Sequence, residues 1–364
     1  MKRGAYARWP AMGGLTRTER LAVAAIAAAT VAAGIARYAG WAPVLAFALA
    51  AVALAGLAHV VSLATEQVGE RFGPAATGVL QSTLGNLPEL FVVIFALRSG
   101  QVVVAQTSIV GSLLANGLLV LGLVIVLGAR RAPDGVMRFR KRLPNDTATL
   151  MLVTSFIIVL VGVAHVTGQP AARHERTISA VAAVALLGVY LAWVVPYVRG
   201  ESAENPRNET RPRVALAVSI ALLTAGGAGS AFVSDWFVAA LKPTIASLGV
   251  SPAFAGLVVV ALAGNAVENV AGLVLAHKQR SDLAISVVKN SVAQVGAFLY
   301  PVLVLISLLF AHQLTFALSP VLIAALLLTA LAMWQITGDG EAVAFEGWAL
   351  VALYVILAVF TLYD

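Results

Sequence analysis

A chain of 364 residues that is 60% hydrophobic and only 11% charged carries too many long uncharged runs for a water-soluble fold. Its formal net charge of +7 reads as a membrane-topology signal rather than a nucleic-acid footprint, because basic residues collect in cytoplasmic loops. With no cysteine, disulfides, thiolate metal sites and thiol redox chemistry are excluded.

Apolar runs between charged or Pro/Gly-rich breaks predict an all-α polytopic membrane protein of about eleven helices, at 20–39, 42–65, 74–98, 101–128, 147–168, 175–197, 212–234, 251–277, 281–310, 313–336 and 345–363. Lys2, Arg3 and Arg8 ahead of the first run have the outline of a secretory signal, but the run is long for one and predicts an uncleaved span. His59, deep in the second span, and His165, near the end of the fifth, are expected to be hydrogen-bonded packing residues.

The third span contains "QSTLGNLPELFVVIFAL" (81–97), where Gly85, Asn86, Pro88 and Glu89 interrupt an apolar helix. Pro88 removes a backbone donor and displaces the Leu84 carbonyl, and Gly85 loosens the turn further. Freed carbonyls are tolerated at bilayer depth where they line a cavity. Asn86 and Glu89 are three apart and share a helical face, which offers an amide oxygen beside a carboxylate. The fourth span adds Ser112 and Asn116 on one face.

The charged stretch "RGESAENPRNETRPR" (199–213) separates the sixth and seventh spans, and Asp235 and Lys242 leave the end of the seventh ambiguous. The eighth, with "VVVALAGNAVENVAGLVLA" (258–276), repeats the third through Gly264, Asn265 and Glu268 but lacks the proline, so a milder break is expected. The ninth carries Ser291 and Gln294, and also Lys289, about 12 Å from the cytoplasmic helix end at 1.5 Å per residue. Lys289 is read first as a snorkelling side chain and second as a built-in cation that pairs with a carboxylate or tunes the coupling.

Superposing 85–89 on 264–268, an offset of 179 residues, also brings Ser112 onto Ser291 and the Pro74 region onto Pro252. The layout expected is a cytoplasmic N-terminus and first span (1–40), a first transport repeat (41–198), a cytoplasmic linker (199–211) and a second repeat (212–364). Five helices per repeat is an odd number, so the second repeat enters from the opposite side, as in secondary transporters with a midplane site. With the N-terminus inside, eighteen of the 24 basic residues fall on the inside, five fall outside and Lys289 lies within a span. The C-terminus is then outside.

Of the 17 acidic residues, only Glu89 and Glu268 sit deep in spans, where an unpaired charge costs at least about 2.5–3.5 kcal/mol. Two carboxylates with neutral oxygens, and no sulfur or clustered histidine, suit Ca2+, and can take protons once the ion leaves. Asn86, Asn265, Ser112, Asn116, Ser291 and Gln294 are the supporting oxygens, and Gly85, Pro88 and Gly264 the helix breaks.

"TLGNLPEL" and "AGNAVENV", followed by "GSLLANGLLVLG" (111–122) and "NSVAQVGAFLYPVLVLIS" (290–307), resemble the calcium/proton exchanger (CAX) family of the cation/calcium antiporter superfamily, from about residue 42 to the end. The resemblance implies Glu89 and Glu268 as metal ligands and proton acceptors, with Ser112, Asn116, Ser291 and Gln294 flanking them. It also implies an entrance role for Glu66, in "SLATEQVGERFG" (62–73), and alternating access by rocking or sliding of one repeat against the other. Three departures stand out: Asn269 where the family commonly has histidine, Asn290 opposite Gly111, and Lys289 where the family is uncharged.

A Na+/H+ or Na+/Ca2+ exchanger would use the same carboxylates, and manganese or another divalent ion stays compatible. A cation channel fits an internal inverted repeat less well. No HExxH, GxGD or GxSxG motif points to an enzyme, and no nucleotide-binding loop points to a pump. The partners expected are the lipid bilayer, Ca2+ and H+, with no cofactor, nucleotide or nucleic acid, in a prokaryotic plasma (inner) membrane; the oligomeric state is left open.

Overall fold

The structure, a computed structural model, describes residues 14–72, 84–140, 142–204 and 213–363. Helix α1 (Arg17–Tyr38) opens on a capping box, in which Thr16 accepts from the Glu19 backbone at 3.2 Å and Glu19 accepts from the Thr16 backbone at 2.7 Å. There follow α2 (Pro43–Phe72), α3 (Leu87–Arg98), α4 (Val102–Arg131), a short strand β1 (Val136–Arg138), α5 (Arg142–Val166) and α6 (Glu175–Glu204). The second half comprises α7 (Leu216–Leu248), α8 (Pro252–Gly264), α9 (Ala266–His277), α10 (Ser281–Ser307), α11 (Pro320–Thr337), β2 (Glu341–Val343) and α12 (Ala344–Leu362). Among the described residues nine helices are long and apolar enough to cross a membrane, or ten if the bent pair α8–α9 is one span. Of the expected third span, residues 74–83 lie outside the described residues and α3 forms the remainder.

Two boundaries differ from expectation for physical reasons. Helix α7 runs through Asp235 and Lys242 to Leu248, because those charges, two turns apart, share an exposed face while Phe237 and Leu241 are buried. It stops at Gly249 in the left-handed conformation (φ 65°). Residues 313–319, expected to begin the tenth span, are non-helical instead, with a bend at Phe316, and Leu314, Phe316 and Leu318 are buried in alternation. Two serine hydroxyls tie this stretch down: the Leu314 backbone donates to Ser307 Oγ at 2.9 Å, and the Phe316 backbone to Ser179 Oγ at 3.2 Å. Hydropathy alone could not separate that run from helix.

Helices α4 and α10 are central. The most apolar stretch of α4 is 89% buried and that of α10 67%, against 11% for α1. Close crossings depend on glycine: a Cβ at Gly111 would collide with the Leu257 backbone of α8, and one at Gly122 would lie 2.5 Å from the Gly347 carbonyl of α12. In lipid, where apolar surface drives no association between helices, such close approach supplies the contact. Helix α2 packs along α7, with Val61 and Leu57 seated on Gly226 and Gly229.

Polar contacts gather at the two ends of the bundle. At one end β1 and β2 pair antiparallel (Val136 with Val343), Arg138 meets Glu341 at 3.2 Å, and the Arg140 backbone donates to Asp282 at 2.7 Å. There Arg138 also hydrogen-bonds Asp134 at 2.6 Å and holds its carboxyl below the usual carboxylate range. Gln279 reaches the Arg131 carbonyl, and Arg213 pairs with Glu19 at 3.0 Å. At the other end His165 meets Glu175 at 2.7 Å, Thr315 donates to Glu175 at 2.5 Å, and Ser251 donates to the Thr361 carbonyl at 2.5 Å.

Candidate cation site

The two motifs take the same local shape. Asn86 and Asn265 are the residues just before α3 and α9, with nearly identical backbones (φ −94°, ψ 14° and φ −100°, ψ 12°). Glu89 and Glu268 follow as the third residue of each new helix, at the positive end of its dipole, where a carboxylate is best tolerated. Although it has no proline, the second motif bends by 63° between α8 and α9. Gly264 sits at that bend under the Glu89 side chain: a Cβ there would lie 3.1 Å from Glu89 Cγ.

Glu89 is 6% exposed, and its Oε1 accepts from Ser112 Oγ and, at 2.9 Å, from Asn265 Nδ2. The same Asn265 amide donates to Ser112 Oγ at 2.9 Å and to the Ala261 carbonyl at 3.1 Å. Asn86 Nδ2 reaches Gln294 Oε1 at 3.5 Å, and Asn116 Nδ2 donates to Ser291 Oγ at 3.0 Å. The Ser291 hydroxyl lies beside Glu268, and Glu268 is close enough to Glu89 for their charges to interact. Glu268 Oε2 is buried and accepts from no donor among the described residues.

Glu89, Ser112 and Asn265 are thus brought together, as are Asn86 with Gln294, Asn116 with Ser291, and Ser291 with Glu268. The amide partner of Glu89 comes from the other half of the chain, not from its own helix, which spacing within one motif could not reveal. Asn269 is buried with its Oδ1 unpartnered among the described residues, and Glu66 is exposed on α2. Gly85 and Pro88 lie at the start of α3, and Ser234 of α7 donates to the Pro88 carbonyl at 3.4 Å.

Lys289 departs from both the snorkelling and the carboxylate-pairing expectation. It does not snorkel, being 0% exposed, and it has no carboxylate partner among the described residues. Its Nζ donates to Thr337 Oγ1 at 3.0 Å, in the last turn of α11, and that hydroxyl donates to the Met333 carbonyl at 2.6 Å. The negative end of the α11 dipole is a suitable place for an ammonium. His59 is exposed on α2 rather than packed, whereas His165 is held by Glu175.

Chemically, the cluster offers two carboxylates surrounded by amide and hydroxyl oxygens. Among the described residues no group of three or more His, Cys, Asp or Glu could hold a metal ion.

The profile of the sodium/calcium exchanger protein family matches residues 42–197 and 218–363. A Ca(2+)/H(+) antiporter of Synechocystis sp. is 29% identical over 347 residues, covering 89% of this chain and 92% of the relative. The Ca(2+)/H(+) antiporter ChaA of Bacillus subtilis is 28% identical over 323 residues, covering 88% and 92%. Among solved structures, native YfkE superposes with a TM-score of 0.78 at 25% identity, over 94% of this chain and all of that one (100%). The H+/Ca2+ exchanger CAX shares the fold with a TM-score of 0.75 at 17% identity, over 94% of this chain and 89% of that one.

Proposed function

The chain belongs to the sodium/calcium exchanger protein family, and from that premise we propose that it is a secondary antiporter exchanging Ca2+ for H+ by alternating access. It is an integral membrane protein and a transporter, not an enzyme. The observation that carries the reading is the pair of carboxylates at matched helix breaks, Glu89 and Glu268, each backed by a serine of the following helix. The ion and proton are those of the bacterial relatives described above.

The coupling follows from charge. Two ionised carboxylates neutralise one Ca2+, and oxygens of Asn86, Asn265, Ser112, Asn116, Ser291 and Gln294 help to complete a shell of about six to eight. When Ca2+ leaves, each carboxylate takes a proton, so both loaded forms of the site are neutral. The empty, doubly charged form is the costly one at bilayer depth, which blocks return without cargo.

The layout that goes with this function is one leading helix and two inverted five-helix repeats, 41–198 and 212–364, joined by the linker 199–211. It is supported by the family match to each half, by the twin breaks at Asn86 and Asn265, and by π-helical turns at Ala115–Val120 and Val295–Leu299, which fall at equivalent positions. The end of the bundle that bears Arg131, Arg138, Arg140 and Arg213 is the cytoplasmic one, which puts the N-terminus inside and the C-terminus outside a prokaryotic plasma membrane.

The test is calcium-dependent proton release from proteoliposomes with an acid interior. Added Ca2+ should collapse the pH gradient in the parent, and Glu89→Gln and Glu268→Gln should each reduce the rate to the protein-free background. Collapse by Na+ but not Ca2+ would replace the ion and keep the carboxylates. Parental rates in both variants would overturn the site.

A further inference from the structure

The two halves of the site are hydrogen-bonded differently. With the 179-residue offset, Asn265 corresponds to Asn86, Glu268 to Glu89 and Ser291 to Ser112. Asn265 crosses from the second half to the first, where its amide donates to both Glu89 and Ser112 at 2.9 Å. The symmetric crossing would carry the Asn86 amide to Glu268 and Ser291. Asn86 instead reaches Gln294 at 3.5 Å, Ser291 takes its donor from Asn116 at 3.0 Å, and Glu268 Oε2 is left buried with no donor among the described residues.

Both amides are buried, Asn86 at 5% and Asn265 at 3% exposure, so neither is a surface group free to pair with water. A buried acceptor without a donor is rare in native structures and needs a reason. Here the reason lies in the pairing itself: an amide N–H gives a carboxylate the positive neighbour that a cation would otherwise supply. One carboxylate is held by its cross-repeat amide while the other keeps an oxygen free for an ion.

We infer that Asn86 and Asn265 are alternating donors, each holding the opposite repeat's glutamate in one of the two access states. In the conformation described, Asn265 holds Glu89 and Glu268 is open. In the opposite-facing conformation, Asn86 turns from Gln294 to Glu268 and Ser291, and Asn265 releases Glu89. The inference rests on the two-repeat reading above, because inverted repeats that exchange conformations exchange their hydrogen-bond patterns as well. Each state has one satisfied and one open carboxylate, which keeps the two close in free energy and lets a cation or proton tip the balance.

The natural absence of cysteine makes the test direct. Cysteines introduced at Leu248 and Leu309, 57% and 83% exposed near the ends of α7 and α10, would carry spin labels for pulsed distance measurements on the full chain without Ca2+. Asn265→Leu removes the donor that favours the described state, and Asn86→Leu removes the one that favours the other. The two variants should move the distance populations in opposite directions, and their population ratios should differ by about tenfold or more. Asn265→Asp and Asn86→Asp, which keep the side-chain size and replace a donor with a repelling carboxylate, should repeat the pattern if a leucine variant does not fold. Shifts in the same direction, or parental distributions in both, would overturn the inference. The readout needs no transport, so a chain that moves no Ca2+ yet shows opposite shifts would sink the proposed exchange and leave the alternating donors standing.

Discussion

Lys289 shows how a side chain that looks anomalous in sequence can be settled by its surroundings. A lone base in an apolar span predicts either escape to the interface or a carboxylate partner, and neither holds, because the neutral Thr337 hydroxyl at a helix C-terminus receives it. One neutral hydrogen bond is a small return for burying an ammonium, so an apolar side chain of similar length should serve the fold as well. Lys289→Met should therefore keep or raise the thermal midpoint of the detergent-solubilised protein and leave the apparent KM for Ca2+ within about twofold. A fall in the midpoint would mean the charge is needed for folding. At this scale the two glutamates and their asparagines are legible in the sequence, since polar groups at matched places in apolar helices have few bland explanations. Their partners are not: that Asn265 serves Glu89, 176 residues away, depends on how the helices cross.

At the scale of elements, hydropathy and breaker residues locate nearly every helix, and the errors fall where the physics is degenerate. An apolar run can be a buried helix or a buried irregular segment, and residues 313–319 take the second form. Charges on one face of a helix do not end it, and α7 continues past Asp235 and Lys242. Crossings between helices are less visible, but glycine marks them. Gly111 has no room for a Cβ against the Leu257 backbone, whereas its counterpart Asn290 already carries a side chain whose Oδ1 has no hydrogen-bond partner among the described residues. Gly111→Val should therefore separate α4 from α8 and cost about 1–3 kcal/mol or more. Asn290→Ala, which removes an unpaired buried oxygen, should be neutral or stabilising. Thermal melts of the two variants against the parent read out this asymmetry, and equal losses would contradict it.

For the whole molecule, the pairing of β1 with β2 and of Arg140 with Asp282 requires the end of α4 and the starts of α5 and α10 to lie on one side of the bilayer. Ser251 with Thr361 requires the start of α8 and the end of α12 to share the other. Single cysteines at Lys278 and Leu309 should accordingly react with a membrane-impermeant thiol reagent from opposite sides, Lys278→Cys only in inside-out vesicles and Leu309→Cys only in right-side-out ones. Labelling of both from one side would break the topology. The alternation of spans and the sidedness of the basic residues are expectations from sequence that this labelling tests, resting on the constraint the bilayer imposes on every helix separately.

Growth of the chain on the ribosome gives the Glu89–Asn265 bond a further meaning. At a synthesis rate of about 5–20 residues per second, the 176 residues that separate them take roughly 9–35 s to make. For that interval the first half sits in the bilayer with a carboxyl group that lacks its amide. The nascent chain thus passes through a polar, incomplete intermediate that is relieved only when the eighth and ninth helices arrive. Insertion machinery and membrane proteases would meet it there, which makes the timing of the second half part of how the first half survives.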